Sequence, residues 1–177
     1  MKSPFLLLFL LIFLTVGTFA NESFFLMPRD AKQALKSLSH DLKNAKKNIR
    51  IAIYSFTHKE LADSIKSAAR RGVKVTIIFD EESNVRKTYS RLGGLAKLKN
   101  VTAYTLKGEA NPKKGYAGKM HMKMAVIDDS TIYFGSANWS YSAFSISYEL
   151  LYRTDSTRII TQSLDYFKEL TARATPY

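Results

Sequence analysis

His121 and Lys123 stand two residues apart in the stretch Met120-His121-Met122-Lys123-Met124-Ala125-Val126-Ile127-Asp128. An imidazole beside a fixed ammonium suits attack on a phosphate: the imidazole serves as nucleophile or proton carrier, and the ammonium neutralises the non-bridging oxygens. The stretch is apolar and β-permissive and closes on the turn signal Asp128-Asp129-Ser130, so it reads as a strand. Side chains alternate faces along a strand, which sends His121 and Lys123 the same way, about 6–7 Å apart. Asp128, seven residues after His121, has the wrong parity for that face and is expected to have a structural or supporting role.

Thr131-Ile132-Tyr133-Phe134 can form the return strand of a hairpin, with Gly135-Ser136-Ala137-Asn138 at its end. A Gly-Ser turn there can open a helix. The Ser136 hydroxyl, the Asn138 amide and the first helical N–H groups would then cradle an anion. Glu149 follows on another apolar strand, Ser147-Tyr148-Glu149-Leu150-Leu151.

The pattern His-x-Lys-x-x-x-x-Asp with a trailing Gly-Ser-x-Asn resembles the signature of the phospholipase D superfamily, carried here by His121, Lys123, Asp128 and Gly135 to Asn138. A His and a Lys merely sharing an edge strand would not account for four coinciding elements. The resemblance implies an α/β fold, with a mixed, mostly parallel β-sheet flanked by helices on both faces. It also implies that Glu149 orients the catalytic imidazole, because a Glu beyond the Gly-Ser-x-Asn turn does so in that family.

At 177 residues the chain is one domain by length, large enough for a real core. Lys and Arg number 27 against 15 Asp and Glu, a net charge of +12, and the pI is about 9.8. That balance implies attraction to polyanions, either nucleic acid or an anionic membrane surface. Cysteine is absent, which excludes disulfides, thiolate zinc sites and lipid attachment through Cys. Residues 1–20 read as a targeting segment: Lys2, an apolar run from Phe5 to Val16, then Thr18-Phe19-Ala20 as a small-residue cleavage site. A cleaved signal peptide is the leading expectation, and an uncleaved membrane anchor through residues 5–19 is its rival. Either places residues 21–177, with a net charge of +11 once Lys2 is removed, outside the cytoplasm: in a bacterial cell envelope, periplasmic or membrane-associated, or secreted.

Phe24-Phe25-Leu26 can be an edge strand. Asp30 then caps a helix, with Gln33 at the capping-box position and Ala31, Leu35, Leu38, Leu42 and Ala45 as its buried stripe. The lysines elsewhere on it, and His40, read as a solvated face. Asn48 to Phe56 is a strand, Thr57 caps a helix from Lys59 to Arg71, and Val73 to Asp80 is the next strand, so a parallel pair is expected. His58 is expected to be structural. Asp80-Glu81-Glu82 reads as a helix start rather than a metal site, with a helix from Asn84 or Val85 to Leu92 broken by Gly93-Gly94. After a strand from Val101 to Leu106, Gly108 to Gly118 is a loop by composition. It delivers Lys113, Lys114 and Lys119 to phosphate and Tyr116 as a platform that could stack on a base. Trp139 and Phe144 belong to the core, and Ser156 caps a last helix whose apolar face is Ile160, Leu164, Phe167 and Leu170.

Only one His-x-Lys motif is present, and neither His40 nor His58 has an accompanying Lys and Asn. Phosphodiester transfer through a covalent intermediate needs a nucleophile on one side and an acid on the other. Two-fold symmetry supplies both if two copies of His121 face each other. The resemblance agrees, since one-motif, Nuc-type bacterial endonucleases of the superfamily share one site between protomers. The expectation is therefore a homodimeric, metal-independent phosphodiesterase without a cofactor, cutting DNA or RNA through a phosphohistidine with little sequence preference. A narrow two-protomer cleft favours single-stranded DNA. The alternatives are a phospholipid phosphodiesterase at the membrane and a non-enzymatic envelope DNA-binding protein. Mitochondrial one-motif members share a tethered layout but carry a Cys-bearing segment that this chain lacks.

Overall fold

Ile49, Ile51 and Ile53 alternate with Arg50 and Ala52 along β2 (Asn48–Ile53), and this period of two sends the large residues to one face of a sheet. The same alternation places Val75, Ile77 and Phe79 of β3 (Lys74–Asp80) and Ala125 and Ile127 of β6 (Lys123–Ile127) in that face's core. Ala52, Ile78, Met124 and Val126 point into a second core behind. A computed structural model describes residues 20–177. The expected leader lies outside them apart from Ala20, and no helix among the described residues is long and apolar enough to cross a membrane.

The remaining strands are β1 (Glu22–Met27), β4 (Val101–Asn111), β5 (Tyr116–Lys119), β7 (Thr131–Gly135), β8 (Glu149–Thr154) and β9 (Thr175–Pro176). They join one sheet in the order β1-β8-β7-β6-β2-β3-β4-β5, with β9 on β4. Helices α1 (Ala31–Asn44) and α2 (Lys59–Arg70) cover the first face through Ala34, Leu38, Leu42, Leu61 and Ile65. Helix α5 (Thr157–Arg173) covers the second through Ile160, Phe167 and Leu170. Two short helices, α3 (Glu81–Asn84) and α4 (Leu92–Ala96), lie between β3 and β4. Helices do flank both faces. The sheet, however, is mostly antiparallel: only β2–β3 and β3–β4 run parallel. Connection length dictates two of the antiparallel pairs, because the links from β4 to β5 and from β6 to β7 are too short to cross over.

Three local expectations are corrected. Gly108 to Gly118 is not a loop but the β4–β5 hairpin, whose turn is held by the Asn111 side chain accepting from the N–H of Lys113 and Lys114, both at 3.2 Å. A Cβ on Gly108 would lie 2.3 Å from the Gly118 carbonyl carbon, so the glycines serve close strand approach rather than looseness. No helix runs from 84 to 92. Arg86 is left-handed at φ 57°, and the segment is instead pinned to the end of β2, with Asn84 donating to the Tyr54 carbonyl (2.7 Å) and Arg91 to that of Thr57 (2.8 Å). Asp30 is the N-cap of α1 without a capping box, since its carboxylate accepts from the Leu26 N–H at 2.9 Å and pairs with Arg29.

Asp128 explains how β6 ends. Its carboxylate accepts from the N–H groups of Lys46, Lys47 and Asn48, at 2.8, 2.7 and 3.1 Å, which ties the α1–β2 connection to the β6–β7 turn. Asp128 and Asp129 both adopt positive φ, 54° and 56°, a conformation that Asp tolerates better than most residues. Burial alone would raise the Asp128 carboxyl pKa, but the backbone donors outweigh it and hold the group below its ordinary 3.8. The ionised form is thus favoured by folding, so its contribution is present above about pH 4 and is lost as pH falls through the lowered value. Asp128→Ala is expected to cost about 2 kcal/mol at pH 7. Denaturant midpoints of the two proteins should converge below pH 4, and a pH-independent difference would refute this account.

Candidate active site

The site forms where β2 ends. The Tyr54 N–H donates to the Met122 carbonyl at 2.8 Å, while the N–H groups of Thr57 and His58 both donate to the Trp139 carbonyl at 2.8 Å. One short segment therefore holds the His121 stretch on one side and the Asn138 stretch on the other. Residues 120–122 are irregular and Lys123 opens β6, yet the expected meeting of the two side chains occurs. Lys123 Nζ lies 2.9 Å from His121 Nδ1 and 3.2 Å from Nε2, and donates to the His121 carbonyl at 2.8 Å. Lys123 is buried whereas His121 is exposed. The Tyr54 ring packs on the imidazole with centroids 4.4 Å apart, and Lys123 Nζ lies 5.1 Å from the Tyr54 centroid.

Burial and the surrounding charges favour the neutral form of the imidazole. Desolvation lowers the His121 pKa, Lys123 and Lys119 lower it further, and Asp80 opposes them. Desolvation also lowers the Lys123 pKa, against Glu149 and Asp80, which favour its charged form. Asp80 is itself buried and fixed, accepting from the Ser83 N–H (2.9 Å) as the cap of α3 and from the Met120 N–H (3.1 Å). A neutral imidazole with an available lone pair beside an ammonium can attack an electrophile whose negative oxygens the ammonium holds.

Ser136 and Glu149 meet at the adjoining strand ends. The Ser136 hydroxyl donates to the Glu149 carboxylate and accepts from the Leu150 N–H at 3.0 Å. A Cβ on Gly135 would lie 2.2 Å from the Leu150 carbonyl oxygen, so glycine is needed for β7 to approach β8 this closely. Glu149 makes no hydrogen bond to His121 within the chain, and the imidazole's partner is Lys123. No helix opens after Gly135; residues 136–148 are irregular, with a bridge from Trp139 to Phe56 and turns over 141–146, so the anion cradle has no helix terminus in it. Asn138 Oδ1 is buried without a hydrogen-bond partner among the described residues. Asp128 lies at the far end of β6, where its carboxylate accepts from the backbone of Lys46, Lys47 and Asn48.

Two clefts open on His121. One, of about 500 Å³, runs beside β4 and α5 and is lined by Lys107, Lys119, Tyr166 and Arg173. The other, about 350 Å³, is apolar, with Met122, Met124, Ile132, Phe134 and Ile159. Of the four expected substrate contacts only Lys119 reaches the site, where it pairs with Glu82 at 3.1 Å. Lys113, Lys114 and Tyr116 sit at the tip of the hairpin, exposed and outside both clefts, because pairing of β4 with β5 carries them outward. Sequence reasoning passed over Tyr54 and Asn84 and took Asp80 only as a helix start, since none of the three carries a motif of its own. Their only signal was position, at or just past the ends of two parallel strands, where ligands gather in open α/β sheets.

Comparison with known proteins places this arrangement. The family profile described as "Cardiolipin synthase, PLD-like domain" matches residues 38–171. The chain is similar to the structure of NucT from Helicobacter pylori, with 40% identity and a TM-score of 0.88 over 89% of this chain and 99% of that one. Nuc from Salmonella typhimurium, a phospholipase D family member, superposes with a TM-score of 0.72 at 20% identity, over 89% of this chain and 98% of that one, a likeness of fold. The mitochondrial cardiolipin hydrolase of Xenopus laevis is 28% identical over 77% of this chain and 60% of its own length. The chain spans about three fifths of the length of the first curated relatives it matches.

Lys123→Met is expected to raise the His121 pKa by removing the neighbouring positive charge. Titration of the imidazole C–H signals by NMR measures this directly, and an unmoved or lowered value would mean that the two groups do not communicate.

Proposed function

This chain belongs to the phospholipase D-like family, and from that premise we propose that it is a nuclease that cuts nucleic acid by phosphoryl transfer through His121, in a site completed by a second copy of the chain. The observation that carries the proposal is the buried Lys123 side chain with its Nζ 2.9 Å from the exposed His121 imidazole. His121 of one copy attacks phosphorus, a P–N bond forms, and the P–O bond to the leaving strand breaks. The leaving oxygen takes its proton from His121 of the second copy. That imidazole, now neutral, takes a proton from water, and the resulting hydroxide displaces the phosphohistidine and restores both rings. The two imidazoles titrate as a coupled pair. Lys123 and Asn138 hold the non-bridging oxygens, with Ser136 at the turn, and Glu149 acts on Lys123 and Ser136. The lysines supply the positive charge that the transition state needs, so no metal is required.

A two-copy site is supported by what lies beside it. On the second face of the sheet α5 leaves β8 and β1 uncovered, and Leu26, Leu150 and Tyr148 are exposed there, next to Ser136 and Glu149. An apolar patch at the rim of a half-site suits an isologous contact. The net charge of +12 and the cleft lysines favour a polyanionic strand over a small diester, and the contact to phosphates predicts strong salt sensitivity. Export to the cell envelope or beyond rests on the apolar run from Phe5 to Phe19.

A second reading, a phospholipid phosphodiesterase, is favoured by the apolar cleft beside His121, which could accept an acyl chain, and by the likeness to cardiolipin hydrolases. Residues 21–177, assayed with labelled DNA and with anionic phospholipid vesicles in excess chelator, separate the readings. Cleavage of DNA in chelator is expected, and His121→Asn should lower it at least about a thousandfold while leaving DNA binding within a few-fold. Lipid hydrolysis with intact DNA would overturn the nuclease reading.

A further inference from the structure

Three aromatic rings beside the site have no part in the chemistry above. Phe144 is buried, His58 is 3% exposed and meets it edge-on at 5.7 Å, and Tyr141, 57% exposed, stacks on His58 at 4.3 Å with 30° between the planes. His58 is thus the buried support of an exposed ring. Its Nδ1 is buried without a hydrogen-bond partner among the described residues, so packing rather than hydrogen bonding holds it. Desolvation also lowers its pKa, with Glu60 acting against and Arg91 in the same direction.

Tyr141 follows Asn138 by three residues, and the backbone between them is clamped. Trp139 donates to the Ser55 carbonyl at 3.0 Å and accepts from Thr57 and His58. Tyr54, against His121, and His58, against Tyr141, are four residues apart, at most about 14 Å along the chain. That distance is about four nucleotides at the 3.4 Å stacked spacing. Beyond Tyr141 a groove of about 720 Å³ runs between α1 and α2, with Lys36, His40 and Lys43 on the α1 side and Lys59, Glu60 and Asp63 on the α2 side. Lys59 pairs with Asp63 at 2.7 Å. Lys36 and Lys43 make no ion pair among the described residues.

We propose that Tyr141 is a stacking platform for an unpaired base of the substrate strand, a few nucleotides from the bond cut, with neighbouring phosphates on Lys36 and Lys43. The inference rests on the nuclease reading and gives it a substrate class, single-stranded nucleic acid. A single strand offers free base faces to an aromatic ring, whereas in a duplex each base is covered by its neighbours. Rigid support matters because a ring already held in place loses little freedom when a base stacks on it.

The test measures binding in the His121→Asn background, by fluorescence anisotropy with a labelled single-stranded oligonucleotide and with its duplex. Tyr141→Ala is expected to weaken single-strand binding about 5- to 100-fold, the worth of one base–aromatic stack, and duplex binding less than twofold. Tyr141→Phe should restore the affinity. Tyr141→Leu, which keeps a bulky group on His58, should not. Equal losses on both substrates, no loss on either, full affinity in the Leu variant, or a change in sedimentation that marks Tyr141 as a contact between copies would each overturn the inference. Protein with His121 intact that binds the oligonucleotide with this Tyr141 dependence but never cleaves it would sink the nuclease reading alone.

Discussion

Burying the Lys123 ammonium is the costly act on which the rest of the structure depends. A charge removed from water is penalised by several kcal/mol unless fixed partners replace the hydration. Here the replacements are the His121 carbonyl, the imidazole nitrogens and the carboxylates of Asp80 and Glu149. They come from three places in the chain, so the site forms only if β3, the 120–123 stretch and β8 are all in register. The ammonium so placed also lowers the His121 pKa, adding to the larger effect of the imidazole's own desolvation.

The end of β2 makes that convergence possible. The segment from Tyr54 to His58 has left the sheet ladder, and its backbone groups are free to bind elsewhere. They take the Met122 carbonyl, the Trp139 carbonyl and N–H, and the side chains of Asn84 and Arg91. A stretch with no motif of its own thus brings the catalytic candidates together. The buried Asn84 explains why the chain after α3 does not continue as a helix: its side chain serves the Tyr54 and Asp80 carbonyls.

The antiparallel half of the sheet serves the site differently. β7 and β8 carry Gly135, Ser136 and Glu149 to the end at which β6 begins, and close approach at Gly135 locks Ser136 to Leu150. β1 closes the edge with Leu26 opposite Leu150, leaving apolar surface beside Ser136 and Glu149. The side of the molecule carrying α1 and α2 contributes the groove with Lys36, Lys43 and Lys59 and the supported Tyr141 ring. The His121 site and the surface proposed to hold the strand are thus joined through one backbone segment.

The amino-acid sequence by itself determined the pairing of His121 with Lys123, the hairpin that follows, the parallel β2–β3 unit, the buried stripes of α1 and α5, and the core places of Trp139 and Phe144. All of these follow from periodicity or spacing within a few residues, where alternation and helical repeat translate directly into direction. It also indicated that Asp128 faces away from the site, by parity alone. Only the tertiary structure decided that most strands run antiparallel, that the glycines from 108 to 118 mark a hairpin that carries Lys113, Lys114 and Tyr116 away, and that Asp80 and Glu149 act on Lys123. It also decided that Tyr54 and His58 support rings at the site. Those outcomes depend on backbone groups and side chains from distant segments meeting in register, and no local spacing encodes which distant partner satisfies a buried hydrogen bond or charge.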